Sequence, residues 1–147
     1  MDLKRVLIEA NRYTQEIQAI FIKEYKKILD ENDLSGKQSV VLSMLDMKGK
    51  LTMNEVAELI SATPSAASQF IKKLEGRKYV KREVNKENRR EVFVTLDETG
   101  EKFFKEMNEV DEKVFEKYFM QLSEEDILTY HSILKKLHGI VLKEDTE

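Results

Sequence analysis

The chain of 147 residues contains no cysteine. That absence excludes a disulfide framework, a thiolate metal site and regulation by cysteine oxidation together. Proline occurs once, at position 64, where it opens a helix rather than breaking one, and no linker or low-complexity stretch divides the sequence. Histidine occurs twice, at His131 and His138, seven residues apart on the last helix. With no cysteine partner, no HExxH pattern and no glycine-rich phosphate loop, no catalytic residue, metal site or cofactor is expected. The many carboxylates are scattered as solvated faces. No window approaches the roughly 20 consecutive apolar residues of a membrane span. The first 21 residues, MDLKRVLIEANRYTQEIQAIF, lack the apolar core of a signal peptide. The expectation is a cytoplasmic protein that is not an enzyme and has no membrane partner.

Hydrophobic residues make up 41% of the chain, enough for a core without metals or disulfides. Charge is unevenly placed. From Gln69 to Arg90 there are nine basic residues and three acidic ones, a local excess of +6, which leaves −9 on the rest of a chain whose net charge is −3. A local positive field suits phosphate, and an acidic body discourages indiscriminate docking.

Apolar residues from Leu3 to Leu29 recur at three- and four-residue steps and predict one amphipathic helix over residues 3–30. Ser35 with Gln38, and Thr52 with Glu55, have capping-box chemistry, which predicts helices from Gly36 to about Lys48 and from Met53 to Ile60. Thr63 is a natural N-cap and Pro64 an N1 proline, so a further helix runs from Pro64 to about Arg77. Residues 79–84 and 91–96 are rich in β-branched and aromatic side chains and flank the polar stretch Asn85–Arg90, predicting a hairpin. Asp97 caps a helix striped with Phe103, Phe104, Met107, Val110, Val114, Phe115 and Tyr118. Ser123 caps a last helix striped with Ile127, Tyr130, Leu134, Leu137 and Val141.

A helix pair over about 53–77 followed by a hairpin over about 79–96 is a winged helix-turn-helix, a unit that places one helix in the DNA major groove. The fold class is mainly α with a small β-hairpin. Residues 1–142 are read as one domain, with a winged unit at 35–100. The flanking helices, residues 1–34 and 101–142, are read as dimerisation helices pairing with a second copy, and a two-fold dimer can read a palindrome.

Val56, Ala57, Ile60, Ser65, Ser68, Ile71, Leu74, Val80 and Arg82, with the run Asn88-Arg89-Arg90, Leu96 and Gly100, resemble the MarR family of bacterial transcriptional regulators. The resemblance is detailed from Val56 to Gly100 and extends in helical layout over nearly the whole chain. It implies a homodimeric repressor that binds double-stranded DNA and answers to a small-molecule effector. Departures from the family pattern are Asn85 and Asn88 at usual aspartate positions, Asp97 for threonine, Lys78 for glycine, Ala66 for threonine and Gln69 for arginine. Asn88 can still hydrogen-bond an arginine, but without a charge.

The DNA-facing residues are Thr63, Ser65, Ala66, Ser68, Gln69, Lys72 and Lys73 on the recognition helix, with Lys86, Arg89 and Arg90 on the wing. Gln69 carries the amide donor and acceptor that match adenine N6 and N7. Ser65, Ser68, Lys72, Lys73 and Lys86 suit phosphates. Arg89 or Arg90 suits a narrow minor groove, and the other braces the hairpin, through Asn88. By resemblance an effector pocket lies between the dimerisation helices and the winged unit, lined by Tyr13, Ile17, Met44, Met47, Phe103, Phe104 and Met107. The alternative is a winged-helix protein-interaction module without specific DNA binding.

Overall fold

The computed structural model describes residues 1–146. In chain order the elements are α1 (Leu3–Phe21), a 3-10 turn (Ile22–Tyr25), α2 (Lys26–Asn32), α3 (Gly36–Lys48), β1 (Leu51–Thr52), α4 (Met53–Leu59), α5 (Pro64–Gly76), β2 (Val80–Val84), β3 (Val92–Leu96), α6 (Glu98–Lys117), a second 3-10 turn (Phe119–Gln121) and α7 (Glu124–Asp145). The chain divides into two compact units, Met1–Asn108 and the segment from Glu109 onward.

Local chemistry sets most helix starts. Ser35 Oγ accepts from the Gln38 amide at 3.1 Å while Gln38 Oε1 accepts from the Ser35 amide at 2.9 Å. Thr52 and Glu55 repeat the exchange at 3.1 and 3.2 Å. Each box satisfies amides that the first turn leaves unpaired. Thr63 Oγ1 accepts from Ala66 N at 3.1 Å, Ser123 Oγ from Asp126 N at 3.1 Å, and Asp97 Oδ1 from Glu98 N at 2.8 Å.

The single helix expected over 3–30 is interrupted by the 3-10 turn at Ile22–Tyr25. A 3-10 residue turns by about 120° rather than 100°, so four of them rotate the apolar stripe by roughly 80°. Residues 1–20 are exposed throughout, whereas Ile28 beyond the turn is buried. The periodic apolar pattern therefore serves two surfaces.

The wing is also more than a hairpin. β1 pairs antiparallel with β3, Leu51 opposite Val94 and Thr52 opposite Phe93, giving a three-stranded sheet in the order β1-β3-β2. β2 and β3 pair from Val80↔Leu96 to Val84↔Val92. Two residues are too few for an alternating pattern to announce a strand.

Both helices of the helix-turn-helix end with residues in the left-handed region. Ser61 (φ 51°) follows α4: its amide donates to Glu58 O, and the Ala62 amide to Ala57 O. Lys78 (φ 60°) follows α5: its amide donates to Glu75 O, and the Tyr79 amide to Leu74 O. Both are Schellman turns, with serine and lysine in the position that glycine usually takes. Lys78 thus ends the recognition helix geometrically as a glycine would, with Arg77 as the C-cap.

The core of the first unit is formed by Val41, Leu42 and Leu45 of α3, Leu51 of β1, Val56 of α4, Ala67, Ile71 and Leu74 of α5, and Val80 and Val94 of the sheet, all at most 1% exposed. Burying each large aliphatic side chain contributes about 1.5–3 kcal/mol. In the second unit Val114 is buried, while α7 has no buried residue among those described.

Candidate nucleic-acid interface

α5 separates its faces cleanly. Ala67, Ile71 and Leu74 are buried and Phe70 half-buried, which fixes the helix by its inner side. Thr63, Ser65, Ala66, Gln69, Lys72 and Lys73 are exposed, and Ser68 is half-buried. The one-sided burial at helical spacing brings the expected recognition-helix residues onto the outer surface. Thr63 already spends its hydroxyl oxygen on the cap, which leaves its O–H as a donor.

Arg82 of β2 holds the wing to this helix. Its Nε donates to Glu75 Oε1 at 2.7 Å, while Nη2 donates to the Ser68 carbonyl at 2.9 Å and Nη1 to Ser68 Oγ at 3.3 Å. A planar fork with several fixed donors can make these contacts together, which a lysine ammonium cannot. Ser68 accepts here, so its own hydroxyl proton remains available to an outside oxygen.

The loop between β2 and β3 is ordered by its asparagines. Asn85 Oδ1 accepts from the Glu87 amide at 3.0 Å and Asn88 Oδ1 from the Arg90 amide at 3.2 Å, each a side-chain turn two residues long. Asn85 Nδ2 donates to Glu91 Oε2 at 3.1 Å. An aspartate at position 85 could make the first bond but would set a second carboxylate against Glu91, which accounts for the amide there. The side-chain brace expected between Asn88 and a wing arginine is replaced by the bond to the Arg90 backbone, because the turn brings that amide to the carboxamide first.

The nine basic groups of residues 69–90 fall into two sets. Arg82 is bound as described, Arg77 donates to the Asn32 carbonyl, Lys78 pairs with Glu98 at 3.4 Å and Lys81 with Glu83 at 3.8 Å. Among the described residues, the side chains of Lys72, Lys73, Lys86, Arg89 and Arg90 have no intramolecular hydrogen bond or ion pair, and all five residues are exposed. They are the five cations that the sequence assigns to DNA. Asn54 joins Thr52, Asn88, Arg90 and Glu91 in lining a cleft of about 450 Å³ at the base of the wing. The contact between α4 and the wing depends on β1, so no local signal marks it.

The residues expected to line an effector pocket are dispersed in their exposure. Tyr13 and Ile17 stand open on α1, with the Tyr13 hydroxyl donating to Glu9 Oε1 at 2.9 Å, and Met47 is exposed on α3. Met44, Phe104 and Met107 are half-buried, and Phe103 is buried, edge-on to Phe104 at 5.0 Å. Phe103 is thus part of the core. On α7, His131 and His138 share a face with Leu134, Leu137 and Val141. No group of three or more potential metal-ligating side chains converges among the described residues, and no helix is long and apolar enough to cross a membrane.

Comparison with known proteins agrees with this architecture. The MarR family profile matches residues 34–92, from before α3 to the start of β3. The chain is 30% identical over 129 residues to the HTH-type transcriptional regulator TcaR of Staphylococcus aureus, covering 86% of this chain and 85% of that one. It is 29% identical over 124 residues to the HTH-type transcriptional repressor MdtR of Bacillus subtilis, covering 82% and 80%. The fold is similar to that of S. aureus MepR bound to ethidium bromide, with a TM-score of 0.67, 21% identity, and coverage of 89% of this chain and 95% of that one. A helix-turn-helix with an exposed basic face, an attached wing and these relatives place the function in DNA-binding transcription regulation rather than in catalysis: the chain belongs to the MarR family of transcriptional regulators.

Proposed function

We propose that the chain is a cytoplasmic, homodimeric, ligand-responsive repressor that reads a pseudo-palindromic operator. The observation that carries the DNA-reading part is the division of the basic residues. Four of nine are used inside the protein, while Lys72, Lys73, Lys86, Arg89 and Arg90 are left for an outside anion. Unpaired, exposed cations on one helix face and its neighbouring loop suit the regularly spaced phosphates of a duplex.

In this reading α5 enters the major groove. Gln69 offers a bidentate amide to adenine, worth about 1–3 kcal/mol of discrimination. Thr63, Ser65, Ser68, Lys72 and Lys73 bind phosphates and fix register, while Ala66 leaves room for a base edge. Lys86 contacts the backbone beside the wing, and Arg89 or Arg90 inserts in the minor groove, where A·T-rich segments concentrate negative potential.

The homodimer is supported by unburied apolar surface. Leu3, Val6, Leu7, Tyr13, Ile17 and Ile20 on α1, and Leu128, Ile133, Leu134, Leu137, Ile140 and Val141 on α7, are each at least 45% exposed. Apolar stripes of this length on a soluble chain suit a subunit interface. A small-molecule effector acts, in this proposal, by preferring the DNA-incompetent arrangement, since a ligand indifferent to the two arrangements shifts neither. Repression and ligand response are supported by the similarity to MdtR, a repressor, and to MepR, which binds ethidium.

The test is selection of the purified protein on randomised duplex DNA at near-physiological salt. The expected result is a palindrome whose half-sites lie about one helical turn, roughly 34 Å, apart. Failure to enrich any sequence over non-specific binding would favour the protein-interaction module instead.

A further inference from the structure

Asn32, the last residue of α2, meets the far end of the recognition helix. Its Nδ2 donates to the Ile28 carbonyl at 2.7 Å, within its own helix. Its Oδ1 accepts from the Tyr79 hydroxyl at 2.5 Å. Its main-chain carbonyl, one of the acceptors that a helix C-terminus leaves unpaired, accepts from Arg77 Nη2. The Arg77 guanidinium also lies over the Tyr79 ring, 4.9 Å from its centroid. Arg77 is the C-cap of α5, and Tyr79, only 3% exposed, closes the Schellman turn that follows it.

We propose that Asn32 is a positioning residue for DNA recognition, holding the C-terminal end of the recognition helix to the end of α2 through Tyr79 and Arg77. The inference rests on the reading of α5 as the helix that meets DNA. The carboxamide suits both roles: it donates to Ile28 and accepts from Tyr79 at once, which neither a carboxylate nor an aliphatic side chain can do. The 3-10 turn at Ile22–Tyr25 separates α1, exposed up to Ile20, from α2, whose Ile28 is in the core. A redirection of α2 therefore bears on α5 at Asn32, the residue where the two helix ends join. None of the three residues belongs to the DNA-facing set, so the effect on recognition is exerted through the placement of α5.

Tyr79→Phe removes one hydroxyl and keeps the buried ring; Asn32→Ala removes the carboxamide. Both variants and their combination are made in the full chain, and two properties are read. The first is amide hydrogen exchange. Each single change should raise exchange at the end of α5, over residues 76–79, by about fivefold, as expected for loss of the one hydrogen bond that joins Asn32 to Tyr79; the bond to Ile28 that Asn32→Ala also removes lies within α2. The double variant should go little further, because both changes remove the same bond. Unaltered exchange there, or fully additive effects, overturns the proposal. The second is affinity for the duplex recovered by selection and for a scrambled duplex of equal length. The selected duplex should be bound about fivefold more weakly by Tyr79→Phe, with scrambled DNA and salt dependence unaffected. Equal losses on both duplexes, or none on either, overturn it. Should selection recover no duplex, the operator reading falls, and hydrogen exchange by itself upholds or overturns the join between Asn32 and α5.

Discussion

A methyl group placed on Gly100 would lie 2.3 Å from the carbonyl oxygen of Tyr79 and 3.0 Å from Leu96 Cδ2. That carbonyl cannot retreat easily, because it accepts from the Asp97 amide at 2.9 Å, and the neighbouring Lys78 carbonyl accepts from Thr99 at 3.1 Å. The first turn of α6 is thus pressed onto the junction between the recognition helix and the wing, and only a residue without Cβ allows the approach. Gly100→Ala should lower stability by about 2–3 kcal/mol, at the upper end for overpacking, because the obstacle is backbone. Urea unfolding measures it; a midpoint equal to that of the unaltered chain would show that the junction yields.

Lys78 offers the opposite change. A lysine with φ 60° carries the steric cost of the left-handed region, and its ion pair with Glu98 lies on the surface and adds little. Lys78→Gly relieves that cost while adding freedom to the unfolded chain, a net stabilisation of about 0.5–1 kcal/mol. It should be visible as a higher urea midpoint with unchanged slope. A lower midpoint would mean that the lysine side chain contributes more than its geometry suggests.

What the sequence made legible and what it did not follows from the range of each interaction. The capping boxes at Ser35 and Thr52, and the Thr63-Pro64 start, lie within three residues of their partners, so they could be read directly. The apolar face of α5 was readable for the same reason. Nothing local marks the bond from Tyr79 to Asn32, 47 positions away, or the pairing of two-residue β1 with β3. The 3-10 turn was hidden because the apolar spacing continues through Ile22–Tyr25 while the surface that it serves changes. Of the candidate interface, the sequence singles out Lys72, Lys73, Lys86, Arg89 and Arg90 for DNA, and among the described residues their side chains have no partner within the protein. It did not reveal that Arg82 is spent on Glu75 and Ser68, since that depends on β2 crossing beside α5.

Tyr79 makes stability sensitive to alkaline pH. Burial pushes its phenol above the usual tyrosine value of about 10, with nearby Arg77 opposing the shift. The folded chain therefore holds this proton to higher pH than the unfolded chain does. Its contribution is complete below about pH 10 and is lost as pH rises through the folded-state value. Ionisation also removes the donor to Asn32. Tyr79→Phe should flatten the fall in thermal midpoint above about pH 10; a decline as steep as that of the unaltered chain would place its origin in another group.

Gln69 is the candidate for base readout. Gln69→Ala should weaken binding by about 1–3 kcal/mol at duplexes carrying the preferred A·T step and scarcely at duplexes lacking it. Competition between two duplexes that differ at that step gives the comparison. Equal losses on both would remove Gln69 from recognition and leave it an exposed helix residue.

If the exposed face of α5 and the wing loop meet DNA, the slope of log affinity against log salt must depend on Lys72, Lys73 and Lys86, and its measurement is the most direct test. Each phosphate that the protein neutralises contributes a slope of about −0.9 through counterion release. Replacing Lys72, Lys73 or Lys86 by Gln should make the slope shallower by about one unit for each phosphate no longer neutralised. The same change at Lys105 or Lys113 of α6, exposed but outside the basic sector, should leave it unaltered. A slope indifferent to the first three lysines, or equally sensitive to the α6 pair, would contradict the assignment of the interface to the recognition helix and wing.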